Sequence, residues 1–352
     1  MKEVEVAQRL RAGGGRAVAC SHSSGAPVSA PGVSVSQSLH AAPKTSRAPV
    51  LRGAVRALAR TAKYFLPDYA VVQIQHRRQM GRWANLHAPK TYSESILLRC
   101  LHPDTRWVEL TDKLAVREYV RQKIGDAHLI PLIAVPETFT REVFDALPNA
   151  FVMKANHGCS FVEVVRDKSK TSFEALNALA QRWLATDYYR VLRERHYRFI
   201  KPRLFFEQLL VDEAGKIPAD LKVHVFGGRP QGPLIHTMII ADRFGDARGD
   251  IYDEHWHRMP VRFGRYQPSD APVPRPSNWT DIERIATRLA EDFAYVRVDL
   301  YSTGDQVYFG ELTFTPGAGR MPFVPESHEY FWARLLKESI EGFERMRRAG
   351  CL

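Results

Sequence analysis

The stretch VRVDLYSTGDQVYFGELTFTPGAG, residues 296–319, decides the reading of this chain. Two runs of alternating apolar and polar residues flank S-T-G-D-Q, the pattern of two short antiparallel strands around a tight loop. Val296, Val298 and Leu300 share one face of the first strand, and Arg297, Asp299 and Tyr301 share the other. In the second strand Phe309, Glu311, Thr313 and Thr315 fall on one face, with Tyr308, Leu312 and Phe314 opposite. A loop at 303–305 predicts that Asp299 pairs with Phe309 and Glu311 with Arg297. The carboxylates of Asp299 and Glu311 are then diagonal neighbours, roughly 7–8 Å apart at the backbone. So placed, they suit Mg²⁺, which takes one or two carboxylates and leaves its other positions to water and phosphate oxygens. The plainer reading is a half-solvated sheet with acids on its outer face. The loop T-P-G-A-G favours the first, because small residues let backbone N–H groups approach a ligand.

Lysines on apolar strands form the second signal. In F-V-M-K-A-N, Phe151 and Met153 face one way, Val152 and Lys154 the other. A lysine inside such a strand is costly to bury unless its charge finds a partner, and phosphate is one. The segment N-H-G-C-S follows directly, a short polar loop between strands. Lys222 repeats the pattern in D-L-K-V-H-V-F, and Lys113 stands at the start of an expected helix, where a bound anion would suit it. A snorkelling surface lysine is the alternative at each position. Arg243 ends the apolar run L-I-H-T-M-I-I-A-D-R-F; a bidentate hold on a carboxylate or phosphate and a surface salt bridge both fit it. His255 and His257 have metal-like spacing, but no further Cys or His ligand stands near them in sequence.

Charge is unevenly distributed. Residues 1–63 hold ten Lys/Arg against two Asp/Glu, while the remainder is nearly balanced at 40 against 37. The basic character belongs to an arm, which argues against a nucleic-acid partner. Residues 12–50 are rich in Gly, Ser, Ala and Pro, a composition expected to be disordered. At 51–66, Arg52, Arg56, Arg60 and Lys63 fall on one helical stripe. That stripe fits a helix resting on an anionic membrane surface, or one docked on the protein with its basic face in water. The four cysteines form no CxxC pair, and a reducing, cytoplasmic setting is expected.

The remaining elements alternate without a repeat. A helix is expected from T-D-K-L-A-V-R-E-Y-V-R-Q-K-I-G, with Thr111 as N-cap and Gly125 as its stop. Strands are expected at 150–156, 161–167, 203–210, 221–228 and 234–244. Further helices are expected at 172–185, 280–293 and from Ser327 onward. Helices and antiparallel strands are mixed, so the class is α+β.

Taken in order, T-D-K-L-A-V-R-E-Y-V, F-V-M-K-A-N-H-G, H-Y-R-F-I-K-P-R-L-F-F-E-Q-L-L, D-L-K-V-H-V-F-G-G, Y-V-R-V-D-L-Y and Y-F-G-E-L-T-F-T-P-G-A-G resemble the ATP-grasp superfamily. Specifically, the chain resembles the TupA-like ATP-grasp family of bacterial surface-polysaccharide gene clusters, over about 83–337. G-E-L-T-F-T-P-G-A-G also resembles the E-x-N-x-x-P-G segment of D-alanine–D-alanine ligases. The resemblance implies an ATP-grasp fold, with two α+β subdomains clamping a nucleotide. The expected divisions are a disordered arm at 1–50, a helical segment at 51–110, and subdomains at 111–206 and 207–352. It implies ATP phosphates on Lys113 and Lys154 under a loop carrying His157, Gly158 and Ser160. Glu207 and the backbone of Gln208 to Leu210 would lie near adenine, with Asp212 or Glu213 at the ribose. Lys222 would reach the transferring phosphate, and Asp299 and Glu311 would hold Mg²⁺. Thr313 stands where the family often has Asn as a further metal ligand. The implied reaction joins a small-molecule or glycan-linked carboxylate to an amine through an acyl-phosphate, with Arg243 and the loop at 316–319 as candidates for holding the acid. Competing readings are a metal-dependent glycosyltransferase, for which no Asp-x-Asp pair is found, and a non-catalytic scaffold, for which metal ligands should be lost and are not.

Overall fold

The computed structural model describes residues 65–241, 247–304 and 306–351. The basic arm, most of the stripe at 51–66, and Arg243 therefore lie outside the described residues. The chain opens with α1 (Asp68–Met80), α2 (Tyr92–Leu101), α3 (Trp107–Thr111) and α4 (Val116–Ile124). There follow β1 (Leu132–Ala134), α5 (Arg141–Ala146), β2 (Phe151–Ala155), β3 (Val162–Val165), α6 (Phe173–Leu184), α7 (Tyr189–Leu192) and β4 (Leu204–Glu207). The second half holds β5 (Asp220–Phe226), β6 (Leu234–Ala241), β7 (Arg248–Tyr252), β8 (Arg262–Phe263), α8 (Trp279–Ala290), β9 (Tyr295–Ser302), β10 (Val307–Thr313), β11 (Phe323–Val324) and α9 (Ser327–Arg348). Among the described residues no helix is long and apolar enough to cross a membrane.

Two antiparallel sheets organise the molecule, one in the order β1-β4-β2-β3 and one in the order β10-β9-β5-β6-β7. Alternation gives the first sheet two unlike faces. Phe151, Met153, Leu204 and Phe206 pack on Leu176, Ala180 and Trp183 of α6, which Ser172 caps through its side chain. Val152, Lys154 and Glu207 point the other way, into a cleft.

In the second sheet, Leu221, Val223, Val296, Val298, Leu300 and Leu312 bury one face against α8 and α4. The opposite face changes character along its length. Phe226 and Tyr295 lie under Tyr92 of α2 and Trp332 of α9, while Asp220, Lys222, Arg297 and Asp299 continue the same faces of β5 and β9 beyond the covering helices. The helices thus seal one end of this face, and the charged end is left to form a site. A capping box at Thr91 and Glu94 starts α2.

Two local expectations change. Thr111 ends α3 instead of capping the next helix. The Oδ1 of Asp112 accepts from the amides of Leu114 at 2.8 Å and Ala115 at 3.3 Å, and α4 begins only at Val116. It stops at Gly125, as expected, with φ 87°. Val116 and Val120 pack on the second sheet, so the boundary expected at 111 is not a packing boundary.

The second change concerns the hairpin itself. Val307 pairs with Ser302, so the loop spans 303–306, and a bulge between Phe309 and Glu311 then shifts the register. Glu311 faces Asp299 directly, and Thr313 faces Arg297. The bulge also separates Phe309 from Glu311, because Phe309 joins the apolar core while Glu311 stays on the charged face. Gly310 is the residue at the bulge, and a Cβ there would lie 3.0 Å from the Asp299 carbonyl oxygen and from the Tyr301 ring.

Candidate active site

The charged face of β5, β9 and β10 is a network centred on Asp299, which is 2% exposed. Arg297 donates from Nε to its Oδ1 at 2.6 Å and from Nη2 to its Oδ2 at 2.8 Å. Lys222 donates to Oδ2 at 2.6 Å and also pairs with Asp220 at 3.0 Å. The Nη2 of Arg297 reaches Glu311 Oε1 at 3.3 Å and Thr313 Oγ1 at 2.9 Å, and Thr313 donates to Glu311 Oε1 at 3.0 Å. Lys113 completes the set, with Nζ 3.3 Å from Glu311 Oε2 and donating to the Gly158 carbonyl at 2.8 Å.

The cations set the protonation of this group. Burial, with Glu311 and Asp220 beside it, raises the Asp299 carboxyl above its ordinary value against the pull of Arg297 and Lys222. Short donor contacts from Arg297 and Lys222 on both of its oxygens favour the charged form. Burial likewise opposes charge on Glu311, yet Lys113, Arg297 and Lys222 hold it well below the ordinary carboxylate range. Burial works against the Lys222 ammonium, and Asp220 and Asp299 raise it nonetheless. The oxygens of Asp299, Glu311 and Thr313 form a hard-ligand set that fits Mg²⁺ if phosphate and water supply the rest. Among the described residues no group of three or more His, Cys, Asp or Glu side chains could hold a metal by itself.

A cleft of about 570 Å³, open mouth included, adjoins this network. Val152, Val162, Val164 and Ile217 give it apolar walls, Gln208 to Leu210 form an edge, and Lys154, Asp220 and Tyr301 line it too. Lys154 is ion-paired with the buried Glu207 and keeps 17% side-chain exposure, so it is not a snorkelling surface residue. The loop at 157–160 is held close. A Cβ on Gly158 would come within 2.6 Å of Phe161 and 2.7 Å of Tyr188. His157 is buried with Nε2 3.1 Å from the Trp183 carbonyl oxygen, packs on Phe161, and does not line the cleft. Ser160 is exposed at φ 64°. Asp212 uses Oδ1 to accept from Ala214 N at 3.0 Å and Lys216 N at 2.8 Å, which closes a turn, and it too is absent from the cleft lining.

The structure thus gathers Lys113, Lys222, Asp299, Glu311 and Thr313, with Lys154 and Glu207 across the cleft. A model of TupA-like ATP-grasp proteins matches residues 95–337. The chain belongs to the TupA-like ATP-grasp family, and with it to the ATP-grasp ligases. No curated protein matches the sequence. Solved structures similar to this ATP-grasp chain include D-alanine–D-alanine ligase from Bacillus anthracis, with 15% identity, a TM-score of 0.38, and coverage of 74% of this chain and 71% of that one. The D-alanine–D-alanine ligase from Helicobacter pylori has 12% identity, a TM-score of 0.40, and coverage of 66% and 61%. The macrocyclase MdnC from Microcystis aeruginosa MRC has 18% identity, a TM-score of 0.31, and coverage of 61% and 55%.

Several residues of this ATP-grasp site were not singled out from the sequence. Arg297 and Asp220 each stand two residues from a predicted ligand on the same strand face, and alternation alone could have found them. Asn156 ties the pieces together. Its Nδ2 donates to Asp112 Oδ2 at 2.8 Å and to the Lys201 carbonyl at 3.1 Å, and its Oδ1 accepts from Arg203 N at 2.7 Å. Glu194 has no local sequence signal. It is 5% exposed and accepts from Thr315 Oγ1 at 2.5 Å, and burial first, then Glu311, pushes its pKa up to about 7 against the pull of Thr315 and Arg320.

Glu194 makes the stability of the chain pH-dependent. Its folded pKa of about 7 lies above the ordinary 4.5, so the folded chain binds the proton more tightly than the unfolded one. The stability this group gives is complete below the ordinary pKa and is lost as pH rises through the folded one. Glu194→Gln keeps an acceptor for Thr315 and cannot ionise. Urea denaturation at about pH 5 and about pH 8 should show the parent's loss of stability shrinking in the variant, by up to about 3 kcal/mol. An identical pH dependence in the two proteins would contradict this.

Proposed function

We propose that this chain is an ATP-dependent carboxylate–amine ligase that forms an amide through an acyl-phosphate. The observation that carries the reading is the direct opposition of Asp299 and Glu311 on a face that also presents Lys222, Arg297 and Lys113. The apolar cleft walls suit the flat adenine ring, with the edge at 207–210 supplying backbone groups to its rim. Lys154 lines the same cleft and Lys113 stands at Glu311, so the triphosphate would run from the first toward the second. Asp299, Glu311 and Thr313 would hold Mg²⁺, which supplies charge neutralisation at the phosphate oxygens.

The reacting carboxylate attacks the γ-phosphorus, the bond to ADP breaks, and an acyl-phosphate forms. Lys222 and Arg297 are placed to stabilise charge on the equatorial oxygens as it spreads. The amine nitrogen then attacks the acyl carbon, the carbon–oxygen bond to phosphate breaks, and the amide, ADP and phosphate leave. Network pairing gives this arrangement its precision, because each donor is already fixed by a carboxylate partner. We further propose that the joined molecules belong to bacterial surface-polysaccharide biosynthesis or modification, in the cytoplasm, with one of them free or glycan-linked. The family resemblance supports that setting.

Contact with an anionic membrane through residues 51–66 is part of the same proposal. It rests on the basic stripe in the sequence and on Phe65, which is 85% exposed at the start of the described chain. Removing residues 1–66 should weaken sedimentation with phosphatidylglycerol vesicles while leaving ADP binding unchanged, and undiminished sedimentation would refute the contact.

Kinetics of ADP release separate the roles of the charged residues. Lys154→Ala should raise the KM for ATP, because it removes binding made before reaction. Lys222→Ala should mainly lower kcat, by roughly 2–4 kcal/mol of barrier, because it removes charge stabilisation that grows in the transition state. Glu311→Gln should abolish turnover with the fold intact. Near-normal turnover in Glu311→Gln would reject the site.

A further inference from the structure

Two segments break the charge balance of the body. Residues 65–83 and 189–203 together hold nine Lys/Arg and two Asp/Glu, whereas residues 64–352 as a whole hold 40 and 37. Both acids are already engaged. Asp68 accepts from Arg195 Nε at 2.8 Å and from the Tyr189 hydroxyl at 2.5 Å, and Glu194 is buried against Thr315. Of the cations, Arg82 is paired with Glu326 and Arg190 with Asp187. Arg78, Arg198, Lys201 and Arg203 are exposed, and among the described residues no carboxylate lies within ion-pair distance of them.

Large apolar side chains stand among these charges. Phe199 is 70% exposed and Trp83 59%, and Phe65, Leu66, Tyr69 and Val191 are exposed as well. The two segments form one surface because both are fastened to α1. Asp68 in its first turn holds Tyr189 and Arg195, and further along Gln75 Nε2 donates to the Val191 carbonyl at 3.2 Å. The Arg198 guanidinium lies 5.6 Å from the centre of the Tyr189 ring and 5.9 Å from that of Phe199. Gln73 of α1 donates to the Ala84 carbonyl at 2.8 Å and accepts from Ala84 N at 2.9 Å, and Arg77 lies 5.8 Å from the Trp83 ring centre. Trp83 and the segment 189–203 are thus both held against the same helix.

The mixture of side chains selects the partner. A second copy of the chain meeting this face with its own would bring like charges together, which costs energy. Nucleic acid would pair with the cations and stack on the aromatic rings, but Leu66 and Val191 would gain nothing from it. An anionic bilayer satisfies both kinds of group. Headgroup phosphates attract the cations, while Trp, Tyr, Phe and aliphatic side chains enter the boundary below them.

The inner side of the same segment belongs to the site. The Lys201 carbonyl accepts from Asn156 Nδ2 at 3.1 Å, and Arg203 N donates to Asn156 Oδ1 at 2.7 Å, directly before the loop at 157–160. Tyr197 packs edge-on to Tyr188 at 4.8 Å between ring centres, and Tyr188 packs on Phe161 at 5.7 Å. One stretch of chain therefore carries the basic, aromatic face outside and supports the loop over the site inside.

We propose that the folded body docks on an anionic lipid bilayer through this face, made by α1 with Trp83 and by residues 189–203. The contact is separate from that of residues 51–66 and does not depend on the ligase reading. Each cation brought to an anionic surface strengthens binding roughly fivefold, and the attraction is screened by salt.

The test is sedimentation of the full chain with vesicles of mixed phosphatidylglycerol and phosphatidylcholine, and with phosphatidylcholine alone. The parent should bind the mixed vesicles, less so as salt rises, and the neutral ones far more weakly. A variant carrying Arg198→Gln and Lys201→Gln should lose at least tenfold in affinity for the mixed vesicles. Phe199→Ser should also bind less, and Phe199→Trp should bind at least as tightly as the parent. Melting temperature and MgADP affinity should match the parent throughout. If Phe199→Ser melts lower, the charge variant and Phe199→Trp decide the matter. A third protein, with Arg52, Arg56 and Arg60 all changed to Gln, reports on the other contact. Undiminished binding by the Arg198→Gln, Lys201→Gln variant overturns the body face, and a loss confined to the third protein then leaves residues 51–66 as the contact. Equal binding of the parent to neutral and anionic vesicles, or binding to neither, overturns the face as well.

Discussion

The carboxylate of Asp299 is the point on which the charged end of the second sheet depends. It is buried, and it survives there only because Arg297 and Lys222 place donors on both of its oxygens. Those two cations are in turn tolerable only beside Asp299, Asp220 and Glu311. Removing one partner from such a set leaves an unpaired buried charge, typically worth 3–5 kcal/mol, about half the stability of many domains. The strands must therefore meet in one register. The bulge beside Gly310 supplies it, by setting Glu311 opposite Asp299 while returning Phe309 and Leu312 to the apolar face.

From that constraint the rest of the site follows as a division of labour between two sheets. The first presents apolar residues and a single lysine, paired with Glu207, to the cleft. The second presents the fixed charges. Lys113, from the turn between α3 and α4, reaches both Glu311 and the Gly158 carbonyl, so it links the charged face to the loop that follows β2. Asn156 holds that turn and the approach to β4 together through Asp112 and Arg203. A nucleotide bound between the sheets would meet apolar walls at one end and a preset field at the other, which is the arrangement that electrostatic catalysis of phosphoryl transfer requires. Membership of the TupA-like ATP-grasp family agrees with this plan.

Much of the plan was legible in the sequence, because alternation along a strand reports which residues share a face. The faces of β2, β5 and β9 came out as expected, and with them the positions of Lys154, Lys222 and Asp299. The pairing of β10 did not. One further loop residue and one bulge move the register by a step each, and neither leaves a mark in a pattern of period two. The packing of α3 and α4 on the second sheet is likewise invisible locally, since an amphipathic helix does not say which sheet it covers. Glu194 was missed because its significance lies in what surrounds it, above all a threonine far along the chain. Arg243, read as a holder of the acid, lies outside the described residues.

If Asp299 and Glu311 jointly hold the metal of a nucleotide site, a bound ion must touch both. Crystals of the full chain grown with ADP and Mn²⁺ in place of Mg²⁺ would show this, because the manganese position can be read from its anomalous scattering. The expected peak is bonded to oxygens of both Asp299 and Glu311, with Lys222 and Lys113 turned toward the nucleotide's phosphates. A nucleotide bound with manganese elsewhere, and with the Arg297–Asp299–Lys222 and Lys113–Glu311 pairs unchanged, would contradict it.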